Sequence, residues 1–207
     1  MRAGLLAALA ATACLGACNM VTSVNPMFPA SAERERVRDG VWAMTDEPCA
    51  FKEAAPVKDW PACVGPTQIK GDHLILWDPQ AHNRTDVDVV WTKGPPPVAQ
   101  ILMKFDPPKD PKEGDHLYVY GGFEVKKRDA QGRAVEIDLW QVLCGPPRAP
   151  KPGQPRSSDM TEHPFPGLTV DHDCQAKDVE ALRGASVASR RYDDHPLHLH
   201  WVRDGDS

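Results

Sequence analysis

Apolar residues follow two different rhythms along this chain. Over residues 3–13 they run almost unbroken, mostly Ala and Leu behind the single positive charge of Arg2. That run is short of the roughly 18 apolar residues a spanning helix needs, and it has the length and polarity of a secretory leader. From residue 40 onward the apolar positions come two apart instead, the period of a strand with one buried face.

The alternation predicts a series of antiparallel strands. Gly40-Val41-Trp42-Ala43-Met44 opens it. Thr67-Gln68-Ile69-Lys70 and His73-Leu74-Ile75-Leu76-Trp77 flank Gly71-Asp72, a two-residue loop suited to a primed turn. Residues 86–91 and 98–105 follow, and in the second Ala99, Ile101, Met103 and Phe105 alternate with Gln100 and Lys104. Residues 117–125 place Leu117, Val119, Phe123 and Val125 on one face, and Gly132 can take the left-handed position that closes a hairpin. Residues 134–143 return with Val135, Ile137 and Leu139 facing the same way. Trp140 and Val142 then change face, which implies a bulge or a strand covered on both sides.

Near the C-terminus the period changes. Val179, Leu182, Ser186 and Val187 recur at helical spacing over residues 176–190, with Asp173 or Gln175 as cap and Arg190-Arg191 suited to the negative end of the helix dipole. Leu197-His198-Leu199-His200-Trp201-Val202 reads as a last strand. The expected fold class is mainly β: an antiparallel sheet or small barrel with one C-terminal helix and a final short strand.

The stretches between these elements carry their own signals. Residues 19–38 have no apolar period, contain Pro26 and Pro29, and mix charges in Glu33-Arg34-Glu35-Arg36, so they read as a flexible tether. The proline-broken stretch between Cys49 and Cys63 has room for a turn or two, with Trp60 plugging the end of the core. Residues 145–167 hold seven prolines and read as an exposed loop. The organisation is then a leader at 1–17, a tether at 18–38 and one β-rich domain at 39–207.

Composition narrows the function classes. A net charge of −5 spread along the chain leaves no electrostatic footprint for nucleic acid, and 21 prolines describe a loop-rich domain. No phosphate-cradling glycine loop appears, Gly184-Ala185-Ser186-Val187-Ala188 falls inside a predicted helix rather than at a nucleophile elbow, and no cofactor is implied. Past residue 18 the cysteines are Cys49, Cys63, Cys144 and Cys174. In an exported chain that even number favours disulfides; three pairings are possible, and proximity favours Cys49 with Cys63 and Cys144 with Cys174. A zinc site is the competing reading, although no pair has Cys-x-x-Cys spacing.

The end of the leader carries the most specific motif. Leu15-Gly16-Ala17-Cys18 resembles the lipobox of bacterial lipoproteins: a branched apolar residue, two small ones, then the cysteine that is diacylated before cleavage. The resemblance implies that Cys18 becomes the acylated N-terminus. Two or more acyl chains anchor stably where one binds only marginally. Gly40-Val41-Trp42, Pro48-Cys49-Ala50-Phe51, Trp60-Pro61-Ala62-Cys63 and Val142-Leu143-Cys144-Gly145-Pro146-Pro147 resemble segments of small uncharacterised lipoproteins of Gram-negative envelopes. Gly40-x-Trp42 at a first strand, followed by antiparallel strands, a helix and a final strand, also resembles the lipocalin barrel. On that resemblance Trp42 would close the barrel base and an apolar ligand would sit inside. The chain has no Thr-Asp-Tyr where that family's second motif falls.

Two polar knots complete the candidates. His198 and His200, two apart on a strand, share a face, and His195 lies just upstream; a metal would need a third ligand such as His116. Asp171-His172-Asp173 has the ingredients of a proton relay but sits at a helix start, where capping and turn roles are expected. The sequence therefore points to a lipoprotein, anchored by Cys18 in the outer membrane and facing the periplasm. Its expected role is non-enzymatic, binding or structural, with membrane lipid and another envelope protein as partners and no nucleic acid. The alternatives are a lipocalin-like carrier and, third, a metal-dependent enzyme built on the C-terminal histidines.

Overall fold

The computed structural model describes residues 19–45, 48–78, 83–104, 116–147, 160–193 and 195–205. Its strands are β1 (Thr22–Ser23), β2 (Gly40–Thr45), β3 (Gly65–Lys70), β4 (His73–Asp78), β5 (Asn83–Thr92), β6 (Val98–Lys104), β7 (His116–Arg128), β8 (Ala134–Gln141), β9 (Leu168–Val170), β10 (Cys174–Ala176) and β11 (Leu197–Arg203). Among the described residues one α-helix, α1 (Val179–Arg190), precedes β11, and a 3-10 turn spans Val57–Asp59.

Strands β2 to β8 pair antiparallel in chain order, and β11 closes the circle by pairing with both β8 and β2. The result is an eight-stranded antiparallel barrel, the mainly β class expected. A barrel of this size is just wide enough for side chains to fill or to hold one small ligand. Cross-strand pairs set the register: Trp42 lies opposite Thr67 and Trp201, Met44 opposite Leu199, and Phe123 opposite Leu139. Of these, Trp42, Met44, Phe123 and Leu199 form one buried cluster with Ile69, Val89, Trp91 and Ile137, and Leu139 and Trp201, partly buried, pack against it. Phe105, expected on the same face, lies outside the described residues.

The long strand β7 explains the change of face at Trp140. Trp140 lies opposite Gly122 on the outer side of the wall, where α1 covers both. The strand is thus covered on both faces, while the register shifts sit in β7 near Lys127 rather than at Trp140. A Cβ on Gly122 would collide with Ser186 Oγ and the Trp140 indole, so glycine lets the helix approach the wall. Small residues on the helix, Ala185 and Ser186, are buried at this contact.

Residues 19–38 are not the expected free tether. Asn19 is 4% exposed and Phe28 5%. β1 pairs with the upper half of β7 beyond the end of β8, and the Val21 N–H donates to the Val142 carbonyl at 2.9 Å. Gln100, buried on the outer face of β6, accepts the Phe28 N–H at 2.9 Å and donates to the Phe28 carbonyl at 3.3 Å. The segment then crosses the barrel end: the Glu35 N–H donates to the Trp91 carbonyl, and Arg38 and Ala134 are joined by their backbones. Many of its backbone polar groups are satisfied by partners more than fifty residues away, among them Val142, Gln100, Trp91 and Ala134, contacts that no local apolar period marks.

Two further expectations are corrected. The helix cap is Asp178, whose carboxylate accepts the Ala181 N–H at 2.8 Å; Asp173 and Gln175 instead flank and enter β10. Trp60 does not plug the barrel end but covers the outer face of β2, with Val41, Ala43 and Val64. Of the proline-rich stretch, 148–159 lie outside the described residues, and its ends are packed: Thr161 is buried and the Phe165 N–H donates to the Cys144 carbonyl. Cys49 bonds Cys63 and Cys144 bonds Cys174. With all four sulfurs paired, the competing zinc reading has no thiolates left.

Candidate functional site

The histidines of β11 meet separate carboxylates. His198 and His200 do share the outer face, with ring centroids 5.9 Å apart. Each faces its own carboxylate: His198 Nδ1 lies 2.9 Å from Asp138 Oδ1, and His200 Nε2 lies 3.5 Å from Glu53 Oε1. His195 is exposed before the strand, its N–H donating to Asp193. No group of three or more His, Cys, Asp or Glu that could hold a metal occurs among the described residues. His172 lies with Asp171 and Asp173 in the turn joining β9 to β10, where the Asp171 N–H donates to the Asp173 carbonyl. Cys18 lies outside the described residues.

Trp42 stands at one end of the barrel interior. It is fully buried, and its indole N–H donates to the Arg38 carbonyl at 2.9 Å. Residues 33–38 close that end, helped by the ion pair of Arg34 with Asp72 and by Arg38 lying 3.4 Å from the Trp201 ring centroid. Next to Trp42 the inward side chains of Met44, Ile69, Val89, Trp91, Phe123 and Ile137 are buried against one another. Two buried polar atoms on inward positions, Thr67 Oγ1 and Trp91 Nε1, have no hydrogen-bond partner among the described residues. Towards the end opposite Trp42, the inward residues Leu76, Ile101, Met103, Leu139 and Leu197 are only partly buried.

An open cleft of about 520 Å³ lies outside the barrel, where the β5–β6 turn, β7 and the end of α1 meet. Trp140, Pro96 and Pro97 line it with apolar surface, and Glu35, Lys93, Arg128 and Arg190 with charge; it meets β7 at Phe123 and Val125, whose side chains belong to the inner cluster. The volume falls in the range of small-molecule and peptide sites. Glu35 is the most constrained of these groups. Its side chain is 7% exposed and its carboxylate accepts two hydrogen bonds from the Arg128 guanidinium, at 2.6 and 2.9 Å. The Arg128 hydrogen bonds hold its carboxyl below the usual glutamate range, against the opposing effect of burial. Arg190 lies over the Trp140 ring at 5.4 Å. Arg183, two turns earlier, donates to the carbonyls of Lys93 and Pro96 and so ties the helix to the β5–β6 turn. A second groove, lined by Pro95, Pro96, Val179, Gly184 and Val187, adjoins it across Pro96.

The cleft sets apolar surface beside one held ion pair, Glu35 with Arg128. Sequence reading missed it, because Glu35 sat in a presumed tether. The face change at Trp140 was the one local signal of a covered outer wall there. Comparison with family models, with curated proteins and with solved structures returns no match. Fold and site together define a class: an eight-stranded antiparallel barrel with an apolar interior and charged outer positions such as Asp88, Lys104, Glu124 and Asp138. That polarity is the reverse of a membrane-spanning barrel, which turns its apolar band to lipid.

Proposed function

We propose that the protein is a lipid-anchored, non-enzymatic binding component of a bacterial envelope. It is held by acylated Cys18 in the outer membrane, faces the periplasm, and offers the external cleft to a segment of another envelope protein. The observation that carries the binding reading is that bulky side chains occupy the barrel interior while the cleft beside Trp140 stands open. The lipobox Leu15-Gly16-Ala17-Cys18 supports the anchor. A lipocalin-like carrier of a small apolar ligand is the second reading. It is favoured by the barrel topology, by Trp42 at the closed end and by the unpartnered Thr67 and Trp91 inside.

The anchor is tested by Cys18→Ser, which should abolish lipid labelling and release the protein into the soluble periplasm; unchanged membrane association would sink the assignment. The binding reading is tested by what accompanies the gently solubilised native protein, compared with Arg190→Glu of unchanged circular dichroism. A partner protein carried by the wild type and lost from the variant supports the cleft. A lipid-like molecule carried equally by both favours the carrier and overturns the cleft, and nothing carried by either overturns both.

A further inference from the structure

We infer that the anchor seats the barrel directly on the bilayer, without a spacer, at the end where β8 finishes. The inference rests on lipid attachment at Cys18, proposed above, and adds an orientation to it. Asn19 carries it. The Asn19 carbonyl accepts the Cys144 N–H at 2.8 Å, and its side-chain amide donates to the Gly145 carbonyl at 3.1 Å. Met20 bridges Leu143 antiparallel, and Val21 bridges Cys174, which is disulfide-bonded to Cys144. The chain is therefore fastened to the wall from the first residue after the lipidated cysteine.

Reach decides the consequence. Consecutive Cα atoms are about 3.8 Å apart, so the acylated residue is one such step from a buried neighbour. A flexible spacer of about 20 residues would instead give an r.m.s. reach of about 25 Å. Acyl chains entering the hydrocarbon from Cys18 therefore bring the surroundings of Asn19, including Gly145 and the His163 carbonyl packed against it, to the headgroup layer.

The opposite end points away. From Ala134 to Cys144 the wall runs ten residues, or about 33 Å at the rise of an extended strand. With the usual strand tilt in barrels this leaves about 25 Å of height. The turn at Gln131 and Gly132, the closing segment 33–38 and the cleft residues Lys93 and Arg128 all lie at or near that far end. The cleft runs from Lys93 and Arg128 at that far end to Trp140, four residues before Cys144. Exposed charges near the seat are of both signs, with Glu162, Asp171 and Asp173 against Lys177, so the acyl chains rather than headgroup charge hold the domain down.

The test uses the processed, lipidated protein in phosphatidylethanolamine–phosphatidylglycerol vesicles. A thiol-reactive dye is placed at His163→Cys or at Gln131→Cys, the four native thiols beyond Cys18 being in disulfides. Nitroxide-headgroup lipid should quench the dye at 163 strongly and the dye at 131 little, at low and high salt alike. A Gly-Ser linker of about 20 residues inserted between Cys18 and Asn19 should relieve quenching at 163. Equal quenching at both sites, reversed order, loss of quenching in salt, or indifference to the linker would overturn the seat. Mass spectrometry of the N-terminal peptide separates the two claims. No acyl mass on Cys18 removes the anchor itself, whereas an acylated Cys18 with both dyes unquenched removes only the seat.

Discussion

Glu35 shows how much a single position can be worth here and how little its neighbourhood in sequence reveals. Its carboxylate is nearly enclosed and paired with Arg128 at the far end of β7, so the closing segment is tied to the wall through a charge. Its folded pKa is lowered, so the native state binds the proton less readily than the unfolded chain does. Its contribution is therefore complete above the ordinary glutamate pKa and lost as pH falls through the lowered value. Glu35→Gln should cost about 1 kcal/mol at neutral pH, since Arg128 remains partly exposed. The gap from wild type should close in acid, as read by urea denaturation across a pH series. Gly122 is a steric counterpart. An alanine there meets Ser186 and Trp140, so Gly122→Ala should destabilise by about 1–3 kcal/mol, measured by thermal unfolding.

At the scale of elements, the segment before the barrel is the one that behaves unlike its sequence. A tether would tolerate any substitution. Phe28 is instead buried beneath Arg183, with both its backbone polar groups held by Gln100. Phe28→Ala should therefore cost about 3 kcal/mol in chemical denaturation, and a change near zero would restore the tether. The strands were legible because each keeps one apolar face: Ala99, Ile101 and Met103 alternate as strand residues should, and all three turn inward. Their outer neighbours were not legible. Gln100, Tyr120 and Trp140 are buried under a second layer made of residues 19–32, β9, β10 and α1, and a two-residue period says nothing about what lands on its polar side.

The whole molecule depends on closure. β11 pairs on both sides, with β8 and with β2, so it joins the last wall strand to the first. A chain ending at residue 196 leaves Trp42, Met44 and Ile137 without their covering strand, and it should lose the near-ultraviolet circular dichroism of its packed tryptophans. Retention of that signal would show that the open sheet stands alone. What the sequence determined by itself was local. Residue order settled the strand periods and the turns at Gly71 and Gly132, because these depend on neighbours within a few residues, and it favoured, among three possible pairings, Cys49 with Cys63 and Cys144 with Cys174. Tertiary structure alone decided three things: that the sheet closes, that residues 19–38 brace it, and that Glu35, Phe123, Arg128, Trp140 and Arg190 meet in one cleft. Those outcomes rest on contacts between residues far apart in the chain, whose hydrogen bonds and buried faces are satisfied only once the barrel has brought them together.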